Sequence, residues 1–177
     1  MQLELVDQRL REDAPPLAIE VLRGLVADLG ADQWWLNLVL VDDPQMASLN
    51  QRWYGGHGPT DVLSFSYLEN EGPGAAILTA GQGCAAHDLW ADPVADDQPQ
   101  IAGEVIIAPS FVAARCAREQ WDLADEWALL LVHGSLHVLG WTHDDDDQQA
   151  AMRTQEHAVL AAADRRHPLF TPDGGAS

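Results

Sequence analysis

The chain is 177 residues long, 47% hydrophobic, and carries a formal net charge of -19 with histidine neutral. That length and apolar share fit one globular domain with a real core and exclude a disordered chain. All nine basic residues are arginine, and so acidic a surface repels polyphosphate at long range. This argues against general nucleic-acid affinity; any nucleic-acid function needs a local arginine patch, a metal or a partner that delivers the substrate.

Met1–Leu10 (MQLELVDQRL) has neither a basic start nor an apolar core, so no secretory leader is expected. No apolar run approaches the roughly 18 residues of a membrane span. Cys84 and Cys116 stand far apart in no metal-type spacing, which reads as two unlinked thiols of a cytoplasmic protein.

In chain order, Leu3–Val6 alternates weakly and predicts a first strand. Pro15 and Pro16 open a helical stretch, Leu17–Leu29, with one apolar stripe and Gly30 as its stop. Trp34–Val41 reads as a strand covered on both faces. Asp42 or Asp43 then caps a short helix over Gln45–Trp53. Gly55–Ser66 is a glycine- and proline-marked loop running into a short strand, Val62–Phe65. Glu69–Gln100 has little periodicity; a lid, a binding loop and an inserted or disordered segment all fit, and insertion is favoured.

Glu104–Ile107 is a further strand, and Pro109 begins a helix through Gln120. A central helix over Leu123–Leu139 is apolar nearly all round in its second half and should run through the core. Gly134 inside it costs about 1 kcal/mol against alanine, so a neighbour or a substrate comes close there. Asp144–Asp147 starts a last helix through Ala163, its acidic residues reading as caps rather than a second metal site. Arg165–Ser177 reads as a frayed tail. The pattern predicts an α+β fold with a small mixed sheet packed with helices: a single catalytic domain over 1–164, with an irregular insertion over 69–100 and a flexible tail over 165–177.

The chemistry concentrates in Leu129–His143, LLLVHGSLHVLGWTH. His133 and His137, four residues apart on a helix, share one face. Gly140 sits where the helix should end, since glycine enters the left-handed region cheaply. The chain can then return His143 to the same point. Three neutral imidazoles converging in this way predict an open zinc site with one position left for water, whose pKa such a metal lowers towards about 7. His57, His87, His157 and His167 lack such company and read as solvated or structural.

The spacing is similar to the zincin pattern H-E-x-x-H-x-x-G-x-x-H, with Gly134 where the glutamate base should stand, which disfavours a peptidase. It resembles more closely the YbeY endoribonucleases. Their signature H-G-x-L-H-L-x-G-x-D-H is matched by His133, Gly134, Leu136, His137, Gly140 and His143, with Val138 in place of a leucine. Met152 and Glu156 fit the same family pattern. The block P-T-D-V-L-S-F is intact as Pro59–Phe65, preceded by Leu49 and Asn50, and G-[DE]-I-x-I is matched by Gly103, Glu104, Val105 and Ile107.

The resemblance implies a zincin-like α+β fold whose central helix bears the metal, with Zn2+ held by His133, His137 and His143. It implies a zinc-dependent, single-strand-specific endoribonuclease of small-subunit rRNA 3′-end maturation and ribosome quality control, in the cytoplasm. The expected partners are precursor rRNA, the small ribosomal subunit, and assembly factors such as an Era-type GTPase, with neither membrane nor DNA.

Two slots depart from the family. Thr142 stands where an aspartate precedes the third histidine, and Tyr54 where an arginine is usual; tyrosine cannot grip phosphate bidentately. Arg52, Asp61 and Ser64 are the candidate substrate contacts. Pro59–Phe65 also reads as a plain turn and buried strand, with Thr60 and Asp61 bonding locally. The rival readings are a non-enzymatic ribosome-assembly factor with structural zinc and, more weakly, another metal-dependent hydrolase such as a peptidase. A structural zinc normally takes four protein ligands, and three candidates are visible.

Overall fold

The computed structural model describes residues 1–8, 23–25, 27, 29, 34–68 and 100–168. Apolar alternation and continuous apolar runs become four strands: β1 over Gln2–Asp7, β2 over Trp34–Leu40, β3 over Val62–Ser66 and β4 over Gln100–Ile107. Four helices follow the capping signals: α1 over Asp43–Tyr54, α2 over Pro109–Glu119, α3 over Leu123–Val138 and α4 over Asp146–Ala162. Arg23, Gly24, Leu25 and Ala27 are helical, Leu25 is fully buried, and Leu29 is in a turn packed against the core; the remainder of the expected Leu17–Leu29 helix lies outside the described residues. The same is true of 69–99, including Cys84 and His87, and of 169–177.

The strands form one mixed sheet in the order β1-β2-β4-β3. β1 and β2, and β2 and β4, run parallel; β3 is antiparallel to β4. Apart from the neighbouring Asn37 and Glu104, the central parts of the inner strands β2 and β4 are apolar on both faces because both faces are covered. On one face Leu36, Leu38, Leu40, Val105 and Ile107 join Leu131, Val132 and Leu136 of α3 in a buried cluster. On the other, Val39, Val41, Ile106, Leu63 and Phe65 pack with Met46, Leu49 and Trp53 of α1. The expected α+β class with a mixed sheet is what the chain adopts.

The strand β4 is longer than its apolar half predicts, starting at Gln100 instead of Glu104. Between Trp35 and Leu36 the pairing steps from Ile101 to Gly103, leaving Ala102 as an extra residue. Such a bulge destroys the period-two signal by which a strand is read. Glycine is required at 103: a Cβ there would stand 2.2 Å from the Phe65 carbonyl oxygen and 2.8 Å from Val138 Cγ1. At Gly134 a Cβ would meet Val105 Cγ1 at 2.8 Å and Ser64 Oγ at 2.9 Å. The close approach expected there is therefore the sheet itself, and α3 lies tight on β3 and β4. Ser66 Oγ donates to the Val138 carbonyl at 2.8 Å, tying the edge strand to the end of the helix.

Asp42 is the cap of α1: its side chain accepts from the Gln45 amide at 2.9 Å, and Gln45 Oε1 accepts from the Asp42 amide at 3.1 Å. Arg115 of α2 links three elements. It pairs with Asp61 at the head of β3, stands 3.6 Å from the buried Glu126 carboxylate of α3, and lies 4.9 Å above the Trp121 ring. Burial pushes the Glu126 carboxyl up and Arg115 partly offsets this.

The expected tail from Arg165 needs correcting at its start. The Arg165 amide donates to the Leu160 carbonyl at 2.9 Å, its guanidinium lies 3.7 Å from Asp125, and His167 is buried. No local periodicity marks this return, because it is built from a helix cap and long-range partners.

Candidate metal centre

The end of α3 is built as the spacing predicts. Gly140 has φ 89°, the Gly140 amide donates to the His137 carbonyl at 3.0 Å, and the Trp141 amide to the Leu136 carbonyl at 2.9 Å. This pair of bonds is a Schellman reversal, which glycine makes without steric cost. The reversal leaves the Trp141 carbonyl free to accept from His137 Nδ1 at 2.9 Å. Beyond it, Gln148 Oε1 accepts from Thr142 Oγ1 at 2.7 Å and from the Asp144 amide at 3.0 Å. Thr142 and Gln148 thus brace the segment that carries His143. Asp145 caps α4 by accepting from the Gln148 amide at 2.8 Å, so the acidic run begins a helix as expected.

His133, His137 and His143 come together, each offering one ring nitrogen, with all three atoms within 4.8 Å of one another. The ring centroids lie 4.5, 5.7 and 4.9 Å apart. His133 Nδ1 stands 2.7 Å from Glu156 Oε1. Burial pushes the Glu156 carboxyl up, but bonds from His133 and His167 outweigh it and bring it down to about 2. An ionised carboxylate only accepts, so His133 donates from Nδ1. A carbonyl also only accepts, so His137 donates from Nδ1. Each ring then turns a bare Nε2 lone pair inward, and the two Nε2 atoms are 3.1 Å apart. Two lone pairs at that distance repel unless a cation, or a proton, lies between them. The donor set therefore fits a metal ion that takes imidazole nitrogen.

Burial lowers His137 to about 4, helped by the neighbouring His133. A neutral imidazole is the form a metal binds. Two groups of the cluster destabilise the metal-free protein towards acid, against Glu126, whose raised carboxyl favours the folded state as pH falls. The folded pKa of His137 lies below its ordinary 6.5. The unfolded chain then takes up more protons as pH falls from 6.5 to about 4, and stability drops through that window. For Glu156, lowered from 4.5 to about 2, stability is present above 4.5 and lost as pH falls towards 2, by about 3 kcal/mol. Urea denaturation of chelator-treated protein should show stability falling as pH is lowered from 4.5 to 3. Glu156→Gln should flatten the part below pH 4.5, and an unchanged acid limb in that variant contradicts the assignment.

The bonds of Asp61 and the ring contact of Arg52 are with residues other than the histidines. Asp61 spends both oxygens inside the protein, Oδ1 accepting from Thr60 Oγ1 and the Val62 amide and Oδ2 pairing with Arg115. This is the plain turn-and-strand alternative for Pro59–Phe65. Ser64 lies on β3 against Gly134. Arg52 is exposed on α1, across the sheet from α3, its guanidinium 5.0 Å over the Trp53 ring. Tyr54, in the arginine slot, donates from its hydroxyl to the Ser64 carbonyl at 3.1 Å.

Spacing did not give Glu156 or His167 their places beside the cluster. A signal for Glu156 exists: Met152, Glu156, Val159 and Leu160 form the buried stripe of α4, and a carboxylate in an apolar stripe demands a partner. His157 and His57 are exposed.

Fold and site together define an α+β protein with three histidines able to hold one metal ion. A family model described as Endoribonuclease YbeY matches residues 7–164. The Endoribonuclease YbeY of Salinispora tropica is 30% identical over 163 residues, 92% of this chain and 96% of that one. That of Acidothermus cellulolyticus is 35% identical over 133 residues, 74% of this chain and 73% of its own. The solution structure of TM1509 from Thermotoga maritima covers 97% of this chain and 99% of its own, with a TM-score of 0.51 and 16% identity, a likeness of fold. The chain belongs to the YbeY endoribonuclease family.

Proposed function

We propose that this chain is a zinc-dependent endoribonuclease, cutting single-stranded RNA in the maturation of the small-subunit rRNA 3′ end and in ribosome quality control, in the cytoplasm. The observation that carries the reading is the pair of bare Nε2 atoms of His133 and His137 facing each other beside His143, in a chain matched by the family model over 7–164. When bound, zinc supplies a divalent charge beside the phosphodiester and lowers the pKa of water at the site.

The chain's own residues hold and orient. His133, His137 and His143 would be the ligands; Glu156 and the Trp141 carbonyl keep the first two in the tautomer that presents Nε2. Three protein donors in the cluster, among the described residues, fit an open catalytic site better than a closed structural one. Ser64, against Gly134 next to His133 in the chain, is a candidate for a substrate contact, and Arg52 offers an exposed guanidinium to phosphate. With a net charge of -19 the protein repels RNA at long range, so the metal and a partner on the small subunit, such as an Era-type GTPase, must bring the substrate in.

The test is cleavage of a single-stranded RNA and of its duplex by wild type and His137→Ala. Wild type should cut the single strand, lose activity to a chelator and regain it with zinc. The variant should be at least about 100-fold slower. Equal cleavage by the variant overturns the reading.

A further inference from the structure

The carboxylate of Glu156 is shared. Its Oε1 accepts the hydrogen bond from His133 Nδ1 at 2.7 Å, and its Oε2 lies 3.2 Å from His167 Nε2. Glu156 is 4% exposed and His167 8%. The terminal torsion of a glutamate is broad and gives the carboxylate plane no orientation of its own. One bond from His133 would leave Oε2 buried without a partner, at a cost of desolvation that turning the carboxylate would relieve. Two anchors are needed for Oε1 to keep facing His133.

The second anchor is delivered by the chain beyond α4. The Asp164 amide donates to the Ala161 carbonyl and the Arg165 amide to the Leu160 carbonyl, with Asp164 at φ 55°. This is the same Schellman reversal that ends α3, and aspartate tolerates the left-handed region better than most side chains. The Arg165 guanidinium, 3.7 Å from Asp125 in the first turn of α3, draws the reversed chain inward and sets His167 against Glu156. Two reversals therefore serve the cluster. One brings the Trp141 carbonyl to His137; the other brings His167, through Glu156, to His133.

We propose that His167 is a positioning residue of the histidine cluster, holding Glu156 Oε2 so that Oε1 fixes the His133 ring with Nε2 turned to the metal. The inference rests on the metal reading above and extends it to the segment after α4. Outer partners of metal ligands typically contribute 10–100-fold in affinity, and one acting through a carboxylate falls at the lower end.

Zinc affinity of the full chain, measured by chelator competition, tests it, with thermal melting of the metal-free proteins as the check on folding. His167→Leu should weaken zinc about tenfold. His167→Gln should bind within about twofold of wild type, since its amide nitrogen lies the same number of bonds from Cα as Nε2. If the leucine variant does not fold, His167→Asn replaces it, because its amide stops one bond short. Adding His167→Leu (or Asn) to Glu156→Gln should weaken zinc little further, because His167 acts through Glu156. Wild-type affinity in the leucine or asparagine variant, or an undiminished loss in the Glu156→Gln background, overturns the proposal while leaving the metal reading intact. A wild type that binds no zinc overturns both.

Discussion

Alanine at His137 is expected to abolish zinc binding in a chain that otherwise holds about one ion, as read by metal analysis after dialysis. His137 is the best prepared of the three histidines. Burial keeps its ring neutral, and the Trp141 carbonyl fixes its orientation through Nδ1. Its Nε2 stands 3.1 Å from that of His133. Structural zinc sites bind with roughly 10–16 kcal/mol over four ligands, so one ligand is worth about 3 kcal/mol, or two orders of magnitude in affinity. A site of three donors left with two falls below what dialysis retains. His143 is exposed where His137 is half-buried, so water competes more for its place and His143→Ala should retain more zinc than His137→Ala. A folded wild type without metal contradicts the prediction.

The second large effect is expected at Gly103, where alanine should cost about 3 kcal/mol or more in denaturant unfolding. The built Cβ meets the Phe65 carbonyl at 2.2 Å, and that oxygen belongs to the strand paired with β4. A side-chain tip can move aside, but a backbone atom held in a ladder moves only with its strand. Displacing β3 also strains the Ser66 bond to the Val138 carbonyl at the end of the helix that carries His133 and His137. Gly134→Ala is the useful contrast. Its contacts are side-chain atoms of Val105 and Ser64, and alanine regains about 1 kcal/mol of helix propensity, so the cost should be smaller. A Gly103→Ala protein within 1 kcal/mol of wild type would show that β3 yields more easily than its pairing implies.

Local pattern made most of the fold and the ligands legible. The i, i+4 pair, Gly140 and His143 lie within eleven residues, and helix geometry with a glycine reversal brings them together without help from the rest of the chain. Helix starts were equally visible at Asp42, Pro109 and the acidic run before α4, because caps are short-range chemistry. The first half of β4 was not visible, since the bulge at Ala102 and the glycine at 103 remove the alternation that marks a strand.

What the linear pattern left open concerns pairs distant in the chain. Glu156 meets His133 across 23 positions, and Arg115 meets Asp61 across 54. For Asp61 the sequence left a substrate contact and a local brace both open, and its pairing with Arg115 is a long-range contact that no local pattern carries. His167 read as part of a tail until a cap and an ion pair turned it inward. Periodicity and capping report a residue's own helix or strand, and so they supplied most of the elements; the spacing of the three histidines supplied the candidate ligands, and the motif resemblance the family. Which carboxylate fixes which imidazole depends on how helices and sheet pack. That packing buries Glu156 with two donors and makes an unremarkable stripe position part of the candidate metal centre.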